Sequence, residues 1–416
     1  MSPDLLDVHL SGRLIGSLSR TRKGARFAYA PDLIYEHAGQ PVLSAALPVK
    51  QRPYSEGLTN AWFSGLLPEG ERLERLCRQL SCHPGDYMEI LAEIGWECAG
   101  AVSVVPQGCT ENRPAEYESL DWDQLGSKIN ELPWYSLDDG LFPRVSLGGY
   151  QEKLCLVVRD VIVSEGFVES SSFYLPNASA VSTHILKPQP KDKLPHLIEG
   201  EAWAMLAASY AARCARAALL QVGNAPLTLF VERFDRSGSA RIHQEDCCQA
   251  LGLPPSRKYA STKEPRGDDP TYQKIADLLM RYAEDPGEEK AELLRQMTVN
   301  LALGNTDAHA KNYALLYKKE CSPSLSPMYD VLPAQEIEPK AEVLSMRIGG
   351  KIRATAVTRG DLLREAESWN PTFDPAVVID AALVGLAHGV EDASKVYPAA
   401  GALFAASAKR RIESLL

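Results

Sequence analysis

Residues 5–20, LLDVHLSGRLIGSLSR, place Val8 and Leu10 before a Ser11-Gly12 pair and Leu14, Gly16 and Leu18 after it, with polar residues between. Alternation with a period of two, broken by a Ser-Gly step, predicts a β-hairpin, because successive strand residues face opposite sides of a sheet. Over residues 60–80, NAWFSGLLPEGERLERLCRQL, the spacing becomes helical, and IGWECAGAVSVVP returns to a β-like run that ends near residue 106. Residues 107–119, QGCTENRPAEYES, carry no apolar period and read as a linker. KLCLVVRDVIVSEG (153–166), STHILKP (182–188) and LTLFVERFD (227–235) are rich in β-branched and aromatic residues and predict strands of a second sheet. Between the last two, EGEAWAMLAASYAARCARAALL (199–220) predicts one long helix. From residue 244 helical patterns dominate, at 244–251, 270–283, 287–303, 374–390 and 401–416, with surface loops at 258–270 and 318–327. The expected fold is α+β in three parts: a small β-rich unit (1–106), a β-sheet part (107–243) and an all-helical C-terminal lobe (244–416).

At 416 residues the chain is too long for one compact core, which agrees with that division. A composition of 45% hydrophobic and 24% charged residues is that of a soluble globular protein. No apolar run approaches the ~20 residues that span a bilayer. MSPDLLDVHLSG lacks the basic start and apolar core of a secretion signal, so the expectation is a cytoplasmic protein without a membrane partner. The nine cysteines are scattered without a CxxC pair. Cys77, Cys82 and His83 come nearest to a ligand cluster, but no second pair follows at zinc spacing, and reduced thiols in packed segments are expected. The net charge of −10 is the wrong sign for gripping nucleic acid with the whole surface. The basic AKRRIESLL at the end reads as a solvated helix face.

The chemistry concentrates in residues 304–317, GNTDAHAKNYALLY, where five strongly polar residues lie between two segments that both look buried. Asp307 and Asn312 stand five apart, the spacing of Asp and Asn in the protein-kinase loop H-R-D-x-x-x-x-N. There the Asp accepts or orients a hydroxyl proton and the Asn reaches a metal on the nucleotide phosphates. Such a site needs a second hard oxygen ligand for Mg²⁺. Asp330, in SPMYDVLPA between Tyr329 and Val331, supplies one. It also needs a strand lysine for the phosphates; THILKP offers Lys187, with Glu199 or, preferred, Glu201 as its partner on the following helix. Upstream, VSLGGYQEK (145–153) offers a glycine pair through which backbone N–H groups can approach phosphate oxygens. Each piece alone is weak: a glycine pair can be a plain turn, a strand lysine a surface charge, and Asp307 with His309 could be metal ligands of a hydrolase. Their order along the chain is what favours a kinase.

With these residues in place the chain resembles the HipA serine/threonine kinases, toxin components of bacterial type II toxin–antitoxin pairs. The matching stretches are LLPEGERLERL, SLGGYQEKLCLV, THILKP, LFVERFDR, IHQEDCCQALG, GNTDAHAKN and PMYDVLPA, in family order. The resemblance covers essentially the full length and implies a bilobal kinase-like fold. It makes Asp307 the catalytic base, Asn312 and Asp330 the Mg²⁺ ligands, and Lys187 the phosphate lysine. Gly148, Gly149, Tyr150, Gln151, Glu152 and Lys153 become the phosphate loop. His309, Lys311 and Tyr329 join the nucleotide site, and Glu232, Arg233 and Phe234 the hinge beside adenine. Ser146 matches a serine that family members phosphorylate on themselves.

The resemblance further implies ATP and Mg²⁺ as cofactors, an aminoacyl-tRNA synthetase as substrate, and a small HipB-like helix-turn-helix antitoxin through which any DNA contact would come. Two other readings stand beside it. One is a small-molecule kinase with the same loop logic; the other is an inactive kinase-like corepressor, against which the intact Lys187, Asp307, Asn312 and Asp330 speak.

Overall fold

The computed structural model describes residues 3–416 apart from 110–114, 133–144, 147, 149–150, 179, 191–195, 239, 320 and 339–340; at 145–146, 177–178 and 319 it describes the backbone alone. The opening hairpin forms between Leu5–Leu10 and Arg13–Thr21. Ser11 and Gly12 both take positive φ, 50° and 80°, the geometry of a tight turn whose twist matches its strands. Gly24–Tyr29 and Val102–Pro106 flank the hairpin to complete a four-stranded antiparallel sheet. A register shift at Val8/His9 turns Ile15 into the core and leaves Leu14 outside, so the alternation read across the hairpin holds on the first strand and slips on the second. The predicted helical stretch splits into Glu56–Ser64 and Gly70–Leu80, separated by GLLPE, where Pro68 and the positive φ of Gly70 (59°) redirect the chain. Trp62, Phe63, Phe27 and Leu6 fill the core beneath this sheet.

The second sheet has six strands, in the order Ala217–Leu220, Thr228–Glu232, His184–Pro188, Leu154–Ser164, Phe167–Ala178, Ala115–Leu120. Two expectations are corrected here. Residues 115–119 of the supposed linker, with Leu120, pair antiparallel with 173–178; five of the six are exposed, so this edge strand has no buried face to leave an apolar period. The helix expected over 199–220 is only Leu197–Ala208, and Ala217–Leu220 is a strand beside Thr228–Glu232. Alanine-rich sequence is compatible with either state, and the ladder partner decides.

Helices form the bulk of the C-terminal lobe: Tyr272–Tyr282, Pro286–Leu303, Arg359–Ser368, Pro375–Val396 and Pro398–Leu415. The lobe is not all helical. His243–Asp246, Ala314–Lys319 and Ser322–Leu325 make a three-stranded sheet, because the buried run YALLY finds ladder partners on both sides. The helix Leu197–Ala208 is buried around most of its circumference and lies against Pro375–Val396, which approaches so closely that a Cβ on Gly389 would come within 2.3 Å of the Ala207 carbonyl. Glu201 therefore reaches the sheet from a helix fixed on several sides.

Candidate active site

Strand alternation aims the lysine. In His184–Pro188, Leu186 packs into the core with Leu154 and Phe230, so Ile185 and Lys187 face the other way, into the cleft between the lobes. The Lys187 ammonium donates to Glu201 Oε1 at 2.7 Å and to the Asp330 carboxylate. Burial alone would lower its pKa, but Asp330 and Glu201 together outweigh that and raise it. Of the two carboxylates that share this ammonium, Asp330 is held well below the usual range by Lys187 and Lys153 despite its burial, while burial pushes Glu201 up. Asp330 keeps its charge and sits at φ 53°, a conformation non-glycine residues adopt rarely and at a cost.

The polar junction begins where the helix Pro286–Leu303 ends at Gly304 in the left-handed region (φ 74°). A short loop and one tight turn, Ala310–Asn312, carry the chain to the strand Ala314–Lys319. The loop is held by its own polar groups. Asn312 Nδ2 donates to the Asp307 carbonyl at 3.1 Å, Asn305 Nδ2 to Asn300 Oδ1 at 2.8 Å, and Tyr329 Oη to the Lys311 carbonyl at 2.6 Å. Tyr259 Oη donates to Asp307 Oδ1 at 3.0 Å. The Asp307 carboxylate reaches solvent at the cleft mouth, yet the surrounding walls strip enough water to raise its pKa, against the opposing pull of Tyr259 and Lys258. His309 is buried and pushed down to about 3, so its ring is neutral near pH 7.

Lys153 donates to the Gly148 carbonyl at 2.6 Å, and burial lowers its pKa to about 8. Gln151 Nε2 reaches the Pro188 carbonyl at 3.4 Å, and Glu152 pairs with Arg75 of the N-terminal unit. Gly149 and Tyr150 lie outside the described residues, as does the side chain of Ser146, whose backbone pairs with Cys98. At the segment between the lobes Glu232 is exposed near Arg216, at 3.7 Å, and the Phe234 ring lies 5.4 Å from Tyr329. The Arg233 guanidinium points into a buried network with Asp235 and Glu97. Lys311 is likewise engaged, donating to Asp246 Oδ2 at 2.8 Å and the Gly65 carbonyl at 3.1 Å.

These groups line one cleft of about 330 Å³, which brings together Gly148, Lys153, Lys187, Glu201, Asp307, Asn312 and Asp330. The fit to a magnesium nucleotide rests on what the cleft leaves unsatisfied. Asn305 Oδ1, His309 Nδ1 and Glu69 Oε1 are buried without a hydrogen-bond partner among the described residues, and all three residues line it. Asp330 and the amide oxygen of Asn312 are hard-oxygen donors that could hold the metal, and Lys153 and Lys187 are cations that could meet the phosphates. Sequence reasoning missed Glu69, Asp246, Lys258, Tyr259 and Asn305. Asn305 stood within the quoted loop; the others are brought to the cleft from distant segments.

A lysine–glutamate pair on a strand and a helix, an aspartate shared with that lysine, and an Asp-to-Asn loop between two lobes define a kinase-type phosphotransferase. Two family models match the chain: the HipA N-terminal domain over residues 6–105 and the HipA-like C-terminal domain over residues 145–384. A Sinorhizobium fredii protein, Y4mE, is 31% identical over 95% of this chain and 94% of its own length. The serine/threonine-protein kinase toxin HipA of Shewanella oneidensis is 29% identical over 82% of this chain and 78% of its own. The solved complex of Shewanella oneidensis HipA with HipB and operator DNA contains a chain of the same fold, with a TM-score of 0.79 at 23% identity, covering 99% of this chain and 97% of that one. The chain belongs to the HipA family and is an enzyme of the serine/threonine-protein kinase class.

Proposed function

We propose that the protein transfers the γ-phosphoryl group of ATP to a serine or threonine of a protein substrate and acts as a toxin in the cytoplasm. The observation that carries this reading is the Lys187 ammonium shared between Glu201 and Asp330, with the Asp307 carboxylate open at the mouth of the same cleft. Asp307 accepts the proton of the attacking hydroxyl as the new P–O bond forms and the bond from the γ-phosphorus to the bridging oxygen breaks, releasing ADP; its raised pKa makes it a better base than a solvated aspartate. Lys187 and Lys153 bind the phosphates, and Gly148 allows the backbone to approach them. Asn312 and Asp330 would hold Mg²⁺, which when bound supplies positive charge to the phosphoryl oxygens. Glu232 and Phe234 border the space for the base, while Arg233 holds that segment from behind.

The finer reading extends the family resemblance, and its antitoxin part is supported by the likeness to a HipA solved with HipB and operator DNA. The substrate is an aminoacyl-tRNA synthetase, and a helix-turn-helix antitoxin like HipB binds the chain and brings it to DNA. Ser146 is phosphorylated by a second copy of the enzyme, placing about −1.5 to −2 charges beside the phosphate loop and switching it off. The three units 1–106, 107–243 and 244–416 serve respectively as an accessory domain, the nucleotide sheet and the catalytic lobe.

Incubating the purified chain with labelled ATP and a panel of aminoacyl-tRNA synthetases tests the reaction. One synthetase should be labelled by the wild type and none by Asp307→Asn, with a loss of about 10²–10⁴-fold. Labelling of small metabolites instead would turn the reading to a small-molecule kinase. Intact mass after ATP treatment should rise by one phosphate in the wild type and stay unchanged in Ser146→Ala. Co-expression with a neighbouring helix-turn-helix protein should give a complex on size exclusion.

A further inference from the structure

The N-terminal unit has its own sheet and core, yet one of its carboxylates lies inside the cleft. Glu69 stands in the GLLPE link between the helices Glu56–Ser64 and Gly70–Leu80, and its side chain does not cap the second helix. Glu69 Oε2 instead accepts from Lys258 Nζ at 2.9 Å, and Oε1 lies 3.8 Å from Lys311 Nζ. Both lysines are buried and both adjoin the catalytic loop. The Lys258 carbonyl accepts from the Ala310 amide at 3.2 Å, its ammonium lies 5.5 Å from the centre of the Tyr259 ring, and Tyr259 holds Asp307. Lys311 already has Asp246 at 2.8 Å. Glu69 thus engages the Lys258 ammonium, and the same chain of contacts leads through Tyr259 to the Asp307 carboxylate, on which Lys258 also acts electrostatically.

We propose that Glu69 is a positioning residue for phosphoryl transfer: the N-terminal unit lends a carboxylate that holds the Lys258 ammonium away from Asp307. An ammonium paired with Asp307 would occupy the lone pair that must accept the hydroxyl proton and would hinder the approach of the acceptor hydroxyl. The inference rests on Asp307 as the base. It gives the N-terminal unit a part in the reaction, besides any part in binding partners.

A double-mutant cycle tests it, with label transfer from ATP to the proteins of a bacterial lysate as the assay and the full chain as the enzyme. Glu69→Gln, which keeps shape and removes charge, should lower apparent kcat by about tenfold or more and leave the apparent KM for ATP within about twofold. Adding Lys258→Met to Glu69→Gln should restore most of the lost rate, because the liberated cation causes the harm; a merely structural Glu69 would make the double variant as poor as the single one or poorer. Wild-type kcat in Glu69→Gln, or no rescue in the double variant, would overturn the proposal. Asp307→Asn in the same assay separates the two ideas. If it is inactive while Glu69→Gln is normal, only this inference falls; if it keeps wild-type activity, the base assignment falls and takes the inference with it.

Discussion

Two buried charge clusters meet at the cleft, and they are built to opposite ends. In the first, Arg233 donates to both oxygens of Asp235 at 3.0 and 2.8 Å, to Glu97 at 3.1 Å and to Ser182 at 2.9 Å. Arg236 adds bonds to Glu97 at 2.8 Å and to the carbonyls of Ser182 and Gly100, and Asp235 also accepts from the Gly100 amide at 2.7 Å. Here each named charge meets several partners, and the cluster ties the N-terminal unit to the sheet and to the C-terminal lobe. In the second cluster, in the cleft, Lys187 has partners while Asn305 Oδ1 and His309 Nδ1 have no hydrogen-bond partner among the described residues. A closed network locks subunits of a fold together; an open one keeps polar groups ready for a ligand.

Breaking the closed cluster should cost the most. Asp235→Ala leaves the buried Arg233 without its bidentate partner, and stability should fall by about 3–5 kcal/mol, read from denaturant unfolding. The same carboxyl sets an acid limit. Burial would raise its pKa, but Arg233 and Arg236 outweigh that and hold it below the usual carboxylate range. Its contribution is therefore complete above the unfolded value of 3.8 and is lost as pH falls below that value toward the depressed folded one.

Next comes Lys187→Met, which opens the cleft cluster further. Glu201, already pushed up by burial, can take a proton, so folding should suffer less than in Asp235→Ala. Nucleotide binding should weaken by about 2–3 kcal/mol, on the order of 100-fold in Kd by calorimetry.

A smaller effect is expected from Lys153. Burial lowers its pKa to about 8, so if Lys153 meets the phosphates as a cation, binding above that pH must take up a proton, and the Kd for ATP should rise by at most about tenfold per pH unit above 8 and flatten in Lys153→Met. The free protein should behave oppositely. It should gain stability from this group between pH 8 and 10.5, where the unfolded lysine still holds a proton that the folded one has shed. The smallest effect belongs to Glu232→Ala, whose exposed pair with Arg216 should contribute no more than about 0.5 kcal/mol to stability.

The difference between the clusters also explains what the sequence could show. That Lys187, Asp307, Asn312 and Asp330 share one cleft was legible because the kinase pattern sets those residue types in a fixed order, and the Glu201 pair because a strand lysine requires a buried partner. The hairpin turn was legible because Ser11-Gly12 accepts positive φ. Arg233 reads from VERF as a hinge residue, yet its guanidinium serves the closed network, since Glu97 lies 136 residues earlier in the chain and no local spacing announces it. Glu69 and Lys258 are 189 residues apart, in segments that read separately as a helix and a surface loop. The edge strand Ala115–Leu120 and the strand Ala217–Leu220 escaped for the related reason that their state is set by neighbours in space.

The helix that carries Glu201 has a consequence for control. Trp203 donates to Ser394 at 3.1 Å, Gly200 lies so close to Phe404 that a Cβ there would come within 2.9 Å of its ring, and Gly389 abuts the Ala207 carbonyl. Many kinases are throttled by swinging such a helix so that its glutamate leaves the lysine. Here a swing of that kind would have to break the contacts of Gly200 with Phe404, of Trp203 with Ser394 and of Ala207 with Gly389, so the Lys187–Glu201 pair is braced by the C-terminal helices.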